Sequence, residues 1–225
     1  MKTNRTRIKI CGLTREQDVD AAVAAGADAV GFVLFSQSAR HVSAMRAAEL
    51  ALRLPPFVTP VLLFVNAAPS EVEAACALIP GALLQFHGDE TPADCAQAAG
   101  ARAFLRAARI PLDPAQDFDL LRFAADFSQA QAILVDAHVD GYGGAGKAFD
   151  WSRIPTNVDA HLVLSGGLAP ANVGDGIAQL RPRCKTLAVD VSSGVEISKG
   201  IKDAAKIHQF VAAVRAADAL LAERP

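Results

Sequence analysis

Two residues of this chain have the makings of a proton-transferring pair. Cys11 stands in Lys9-Ile-Cys-Gly-Leu-Thr14, and Asp136 closes the run Ile133-Leu-Val-Asp136. A thiol and a carboxyl group facing one pocket can serve as base and acid on either side of a held molecule, which is the chemistry of isomerisation. Each alone also fits a structural role, because cysteine is often buried and aspartate often satisfies a turn. A free thiol ionises near pH 8.5 and is a poor base unless its thiolate is stabilised, with about that value as reference. The positive end of a helix opening at Thr14 would help, and so would Lys9, which strand alternation places on the same side as Cys11. A buried ammonium needs a counter-charge. Asp190 is expected to supply it, in an ion pair with Lys9 beneath Cys11.

A second constellation suits a phosphate. Ser165-Gly166-Gly167 and Ser192-Ser193-Gly194 both follow strand-like runs, and glycine lets backbone N–H groups come close to anionic oxygens. A short helix starting near Ser193 would add its dipole. The stretch Gly141-Tyr-Gly143-Gly144-Ala-Gly146-Lys147 has the spacing of a dinucleotide turn and comes within one residue of a P-loop. Ala148 stands where a P-loop needs Ser or Thr to hold Mg²⁺, and no helix begins at once, so the stretch reads as a flap over the site. Arg40, in Ser36-Gln-Ser-Ala-Arg40, is suited to a planar carboxylate through a bidentate fork. Gln85-Phe-His87-Gly88 adds two polar groups, of which His87 either binds ligand or caps its own loop.

These residues share a position: each follows a short aliphatic run. Strands are expected at 7–13, 29–34, 58–65, 82–86, 102–106, 132–136, 161–165 and 186–191, each followed by a segment with helical spacing. Thr14 with Gln17, Ser43, and Asp113 with Pro114 mark helix starts; Gly26 and Gly100 mark helix ends. Apolar residues at Ile207, Phe210, Val211, Val214 and Leu221 form one face of a closing helix. Eight strand–helix units predict a parallel α/β fold closed into a (β/α)₈ TIM barrel, a single catalytic domain over residues 1–225. In such barrels the working groups sit at the C-terminal ends of the strands, where the residues above fall.

The bulk composition agrees. Over 225 residues, 52% are hydrophobic and only 6% aromatic, enough for a large aliphatic core. A net charge of -2 offers no basic field for nucleic acid or an anionic membrane surface, leaving small molecules as the expected partners. Four scattered cysteines without a C-x-x-C pair predict neither a zinc site nor a disulfide framework, and point to a reducing cytoplasm. Residues 1–7 are polar and lead directly into a strand, so no signal peptide is expected. No apolar run reaches the roughly 18 residues needed to span a bilayer.

With these motifs in place, the sequence resembles the phosphoribosylanthranilate isomerase family over essentially its whole length. The resemblance rests on Lys9-Ile-Cys-Gly-Leu-Thr14, Gly26-Ala-Asp-Ala-Val-Gly-Phe32, Gln85-Phe-His-Gly88, Gly143-Gly-Ala-Gly-Lys147 with Phe149-Asp-Trp151, Ser165-Gly-Gly-Leu168 with Asn172-Val173, and Val189-Asp-Val-Ser-Ser-Gly-Val-Glu196 with Lys202-Asp203. It implies an Amadori rearrangement in tryptophan biosynthesis, without cofactor or metal, with Asp136 as acid and Cys11 as base. It further implies Arg40 on the anthranilate carboxylate and the glycine turns of strands six, seven and eight on the phosphate. Ala145 stands where the family often has Thr or Ser, which removes a possible hydroxyl contact and leaves the backbone donor.

Two rivals stay open at this level. Another phosphosugar barrel, such as indole-3-glycerol-phosphate synthase or a histidine-pathway aminoaldose isomerase, would share the phosphate turns; the latter would carry aspartate in place of Cys11. A non-catalytic phosphate-ligand binder on the same barrel would have no reason to keep both Cys11 and Asp136. A monomer is the expected state.

Overall fold

The computed structural model describes residues 5–113, 115–137 and 148–223. Eight parallel strands, β1 (Arg7–Cys11), β2 (Ala29–Val33), β3 (Thr59–Phe64), β4 (Leu83–Phe86), β5 (Phe104–Ile110), β6 (Ala132–Ala137), β7 (His161–Leu164) and β8 (Thr186–Val191), close in chain order into a barrel. The strands read as near-continuous aliphatic runs because both faces are buried, one against the helices and one inside the barrel. Alternation decides which is which. In β1, Ile8 and Ile10 face the helix layer and belong to the main core, while Lys9 and Cys11 point inward. Leu105, Ala107, Ala132, Leu134 and Val163 fill the interior, so the barrel is a packed core with its polar groups above.

The outer layer consists of α1 (Glu16–Ala25), α2 (Ala44–Ala51), α3 (Pro69–Leu78), α4 (Pro92–Ala99), α5 (Leu120–Asp126), α6 (Val173–Leu180) and α7 (Ala204–Ala222). Ser43 caps α2 by accepting from the Arg46 N–H at 3.1 Å, as its type predicts. Gly26, with φ 91°, ends α1 in the left-handed conformation. On α7, Ile207, Phe210, Val211 and Val214 are buried, Leu221 is half-buried, and the helix packs against α1 and α6.

Several expectations need correction. Thr14 does not cap α1: its hydroxyl donates to the Gly200 carbonyl at 2.9 Å, and the helix starts two residues later, after Arg15. Asp113 accepts from the Ala115 N–H in a local turn, whereas α5 is capped by Asp119; Pro114 lies outside the described residues. Strand β5 continues through Ala107-Ala-Arg-Ile110, residues with mixed strand preference, because register pairing carries it past Arg109 opposite Asp136 to Ile110 opposite Ala137. No α-helix separates β6 from β7 among the described residues. A 3₁₀ turn, Trp151–Arg153, stands there instead, with the indole of Trp151 close against Gly176 of α6. After β8 the chain adds an antiparallel hairpin, β9 (Glu196–Ser198) with β10 (Ile201–Lys202), before α7 begins.

Candidate active site

Register places the polar groups at the C-terminal rim. Lys9 is the direct partner of Asp190 across the β1–β8 closure. Its Nζ lies 2.9 Å from Asp190 Oδ1, with both side chains about 5% exposed, so the expected ion pair forms beneath Cys11. The Ser165 hydroxyl at the end of β7 extends the group, donating to Asp190 Oδ2 at 3.4 Å. Gly31 of β2 makes room for it: a Cβ there would come within 2.7 Å of Cys11 Sγ and 3.0 Å of Lys9 Nζ.

Electrostatics oppose a simple thiolate. Burial raises the Cys11 thiol above its ordinary value, and Asp190 adds to that; Lys9 and Lys202 pull it down without cancelling the burial. For Lys9, burial disfavours the charge, but Asp190 and the Cys11 sulfur outweigh it, so the ammonium persists. Cys11 therefore rests as a thiol whose ionisation depends on Lys9. The first helical residue of α1 is Glu16, with Arg15 and not Thr14 at the N-cap.

Asp136, the penultimate residue of β6, is on the inward face and is 7% exposed. Its Oδ1 accepts from the Ala137 N–H at 2.8 Å, and its Oδ2 lies 3.0 Å from His87 Nε2. The other ring nitrogen of His87 lies 3.0 Å from Gln85 Nε2. Both ring nitrogens of His87 thus have protein partners, Gln85 on one side and Asp136 on the other. Gln85 is fully buried one step deeper, so it too reaches His87 and not the open mouth.

Arg40 crosses to the β1 side. A Cβ on Gly12, which has φ 77°, would meet Arg40 Cδ at 2.5 Å and Ser192 Oγ at 3.2 Å, so the arginine stem lies over that glycine. Its Nε and Nη2 donate to the two carboxylate oxygens of Glu196, each at 2.8 Å. The side-on fork is therefore occupied, and Nη1 is the edge left toward an anion. Lys202, fully buried at its side chain, donates to Glu196 Oε1 at 2.8 Å, to the Ser192 carbonyl at 3.0 Å and to Ser192 Oγ at 3.2 Å. Two cations share one carboxylate, which leaves a net positive charge beside Cys11 and the β8 turn. Both arginine and lysine hold the Glu196 carboxylate down despite its burial.

The glycine turns occupy the rim at β7 and β8. Gly166 (φ 76°) and Gly167 (φ 65°) are left-handed, and a Cβ on Gly166 would press within 2.7 Å of Asp136 Oδ1. The short helix expected near Ser193 is a single 3₁₀ turn, Ser193–Val195, and a Cβ on Gly194 would collide with the Leu168 carbonyl. Gly143, Gly144 and Gly146, with the whole flap 138–147, lie outside the described residues.

Two members of the site were not assigned a role from sequence: Glu196 and Lys202. They belong to quoted motif segments, but the β9–β10 hairpin that folds them onto Ser192 and Arg40 carries no hydrophobic periodicity that would show it.

Comparison with known proteins follows the same residues. A family model described as N-(5′phosphoribosyl)anthranilate (PRA) isomerase matches residues 8–213. The N-(5′-phosphoribosyl)anthranilate isomerase of Leptothrix cholodnii is 65% identical, over 96% of this chain and 93% of its own length. That of Methylibium petroleiphilum is 64% identical, over 97% and 98%. Among solved structures, phosphoribosyl anthranilate isomerase from Thermotoga maritima aligns with a TM-score of 0.82 at 37% identity, covering 94% of this chain and 99% of that one. A phosphoribosyl anthranilate isomerase in complex with reduced 1-(o-carboxyphenylamino)-1-deoxyribulose 5-phosphate aligns at 0.76 with 34% identity and the same coverage.

Proposed function

We propose, on the premise that the chain belongs to the N-(5′-phosphoribosyl)anthranilate isomerase family of tryptophan biosynthesis, that Cys11 and Asp136 carry its proton transfers. Asp136 gives its proton to the furanose ring oxygen of N-(5′-phosphoribosyl)anthranilate, opening the sugar to a Schiff base. Cys11 removes the C2′ proton to give an enolamine, which tautomerises to 1-(2-carboxyphenylamino)-1-deoxyribulose 5-phosphate. General acid and base groups of this kind contribute roughly 10² to 10⁴ each.

Arg40 holds the anthranilate carboxylate through its Nη1 edge while Glu196 fixes the rest of the guanidinium. Gly166, Gly167, Ser192, Ser193 and Gly194, with Gly143, Gly144 and Gly146 of the flap, hold the phosphate and so orient the sugar between acid and base. The observation that carries this reading is that Cys11 and Asp136 both face inward at the rim, Cys11 beside the buried Lys9–Asp190 pair and Asp136 hydrogen-bonded to His87.

Free thiols at all four cysteines suit a reducing cytoplasm. Among the described residues no helix is long and apolar enough to cross a membrane. A monomer is the proposed state. Light scattering tests that state, and a doubled mass would overturn it and direct attention to Phe57, fully exposed on the α2–β3 loop.

Steady-state kinetics test the assignment of roles. Cys11→Ser and Asp136→Asn are each expected to lower kcat by at least about tenfold with an unchanged circular dichroism spectrum. Near-normal turnover in both variants overturns it.

A further inference from the structure

We propose that Gln85, His87 and Asp136 form one proton-holding unit, in which His87 stores the proton that Asp136 delivers to the sugar ring oxygen. This rests on Asp136 being the acid. His87 touches the carboxyl and not the substrate, so it is a positioning residue.

The geometry is a relay from the end of β4 to β6, two strands apart in the barrel. From β4, Gln85 Nε2 meets His87 Nδ1 at 3.0 Å, and His87 Nε2 meets Asp136 Oδ2 at 3.0 Å. The Ala137 N–H holds Asp136 Oδ1 at 2.8 Å and stops the carboxyl from turning away. None of the three side chains is more than about 10% exposed, so water does not readily stand in for a missing partner.

Gln85 is suited to both states of the ring. With its amide nitrogen on Nδ1, that nitrogen must be an acceptor, and the ring proton sits on Nε2, donated to a carboxylate. In this orientation Gln85 Oε1 is buried without a partner among the described residues, at a cost of about 1–3 kcal/mol. Turning the amide over presents Oε1 to Nδ1–H, which fits a ring that shares a second proton with Asp136. The turned amide would give the orphaned oxygen a partner and accept from Nδ1–H at once.

The proton count of the reaction explains the need. Asp136 loses one proton to the ring oxygen, and Cys11 gains one from C2′. The enolamine-to-ketone step moves a proton from the 2′ oxygen to C1′ with no net change. Each turnover therefore leaves Asp136 one proton short and Cys11 one over, and the deficit falls on a carboxyl group whose nearest titratable neighbour is His87. With two protons on the pair, the ring carries one on Nδ1 and shares the other between Nε2 and Oδ2; the shared proton goes to the sugar ring oxygen, leaving a neutral ring beside the carboxylate, and solvent restores it after turnover as Cys11 gives up its own.

Kinetics of His87→Ala, His87→Gln, Gln85→Leu and Asp136→Asn test this. His87→Ala should lower kcat at least tenfold with KM within about threefold, and added imidazoles should restore activity to a degree that depends on their acidity. His87→Gln keeps a donor toward Asp136 but has no proton to hand over, and should be as slow as His87→Ala. Gln85→Leu should lower kcat severalfold at unchanged KM. A raised KM with normal kcat in His87→Ala makes His87 a substrate ligand and overturns the proposal. So does full activity in His87→Gln, or rescue that is indifferent to acidity. If Asp136→Asn is inactive while His87→Ala is normal, the relay alone fails; if Asp136→Asn is itself normal, the acid assignment fails.

Discussion

Cys11, the proposed base, is held by the fold in its protonated form. Burial drives the thiol upward, and the positive charges of Lys9, Lys202 and Arg40 oppose it. A base works when deprotonated, so kcat/KM should rise with pH through the thiol's ionisation. Lys9→Met removes the largest opposing charge and moves that rise to higher pH. For each pH unit moved, the thiolate fraction at neutral pH falls about tenfold. Asp190→Asn removes a charge that disfavours the thiolate and moves the rise the other way. A pH–rate series on the two variants checks the signs, and equal displacement of both would show that Lys9 and Asp190 act only through packing.

At the scale of elements, the β9–β10 hairpin is a clamp. It carries Glu196 under Arg40 and Lys202 under Ser192, tying the β2 loop to the β8 turn. Glu196→Gln leaves two buried cations without their carboxylate. Breaking a buried pair from one side costs about 3–5 kcal/mol, which urea denaturation at neutral pH should show. The variant should also bind substrate less well, because Arg40 loses its side-on anchor. Helix capping gives a smaller effect: Ser43→Ala removes the acceptor for the Arg46 N–H and should cost about 1 kcal/mol, with KM unchanged.

The whole molecule shows the same charge in its response to acid. Glu196 is held below its unfolded value, so the stability it contributes is present above about pH 4.3 and is lost as pH falls through the lower folded value. The gap in stability between the native protein and Glu196→Gln should therefore be widest near neutrality and close on acidification below about 4.3. Denaturation midpoints at several pH values measure it, and a gap independent of pH would mean that Glu196 acts by shape and not by charge. The barrel is also sealed at its opposite end, where the Thr6 backbone N–H donates to Asp218 of α7 at 2.9 Å and Arg181 reaches both residues.

What the sequence determined by itself is the part of the protein built on local periodicity and strand parity. Eight aliphatic runs implied eight strands; β8 falls where its run lies, and the ends of the others move by a few residues. Parity alone put Lys9 and Cys11 on one face and Asp190 opposite them, since a two-residue repeat does not depend on what the strand meets. Helix starts were less legible, because Thr14 and Asp113 are good caps by type, and competing partners, the Gly200 carbonyl and a local turn, took them. Only the tertiary structure decided who faces whom across the barrel. His87 meets Asp136 from a strand two places away, Arg40 is turned onto Glu196 by a hairpin 156 residues later, and the Cys11 thiol rises through burial that no local pattern reveals. Contacts and desolvation belong to the assembled interior, where the energy of a charge depends on every neighbour within a few ångströms and not on its place in the chain.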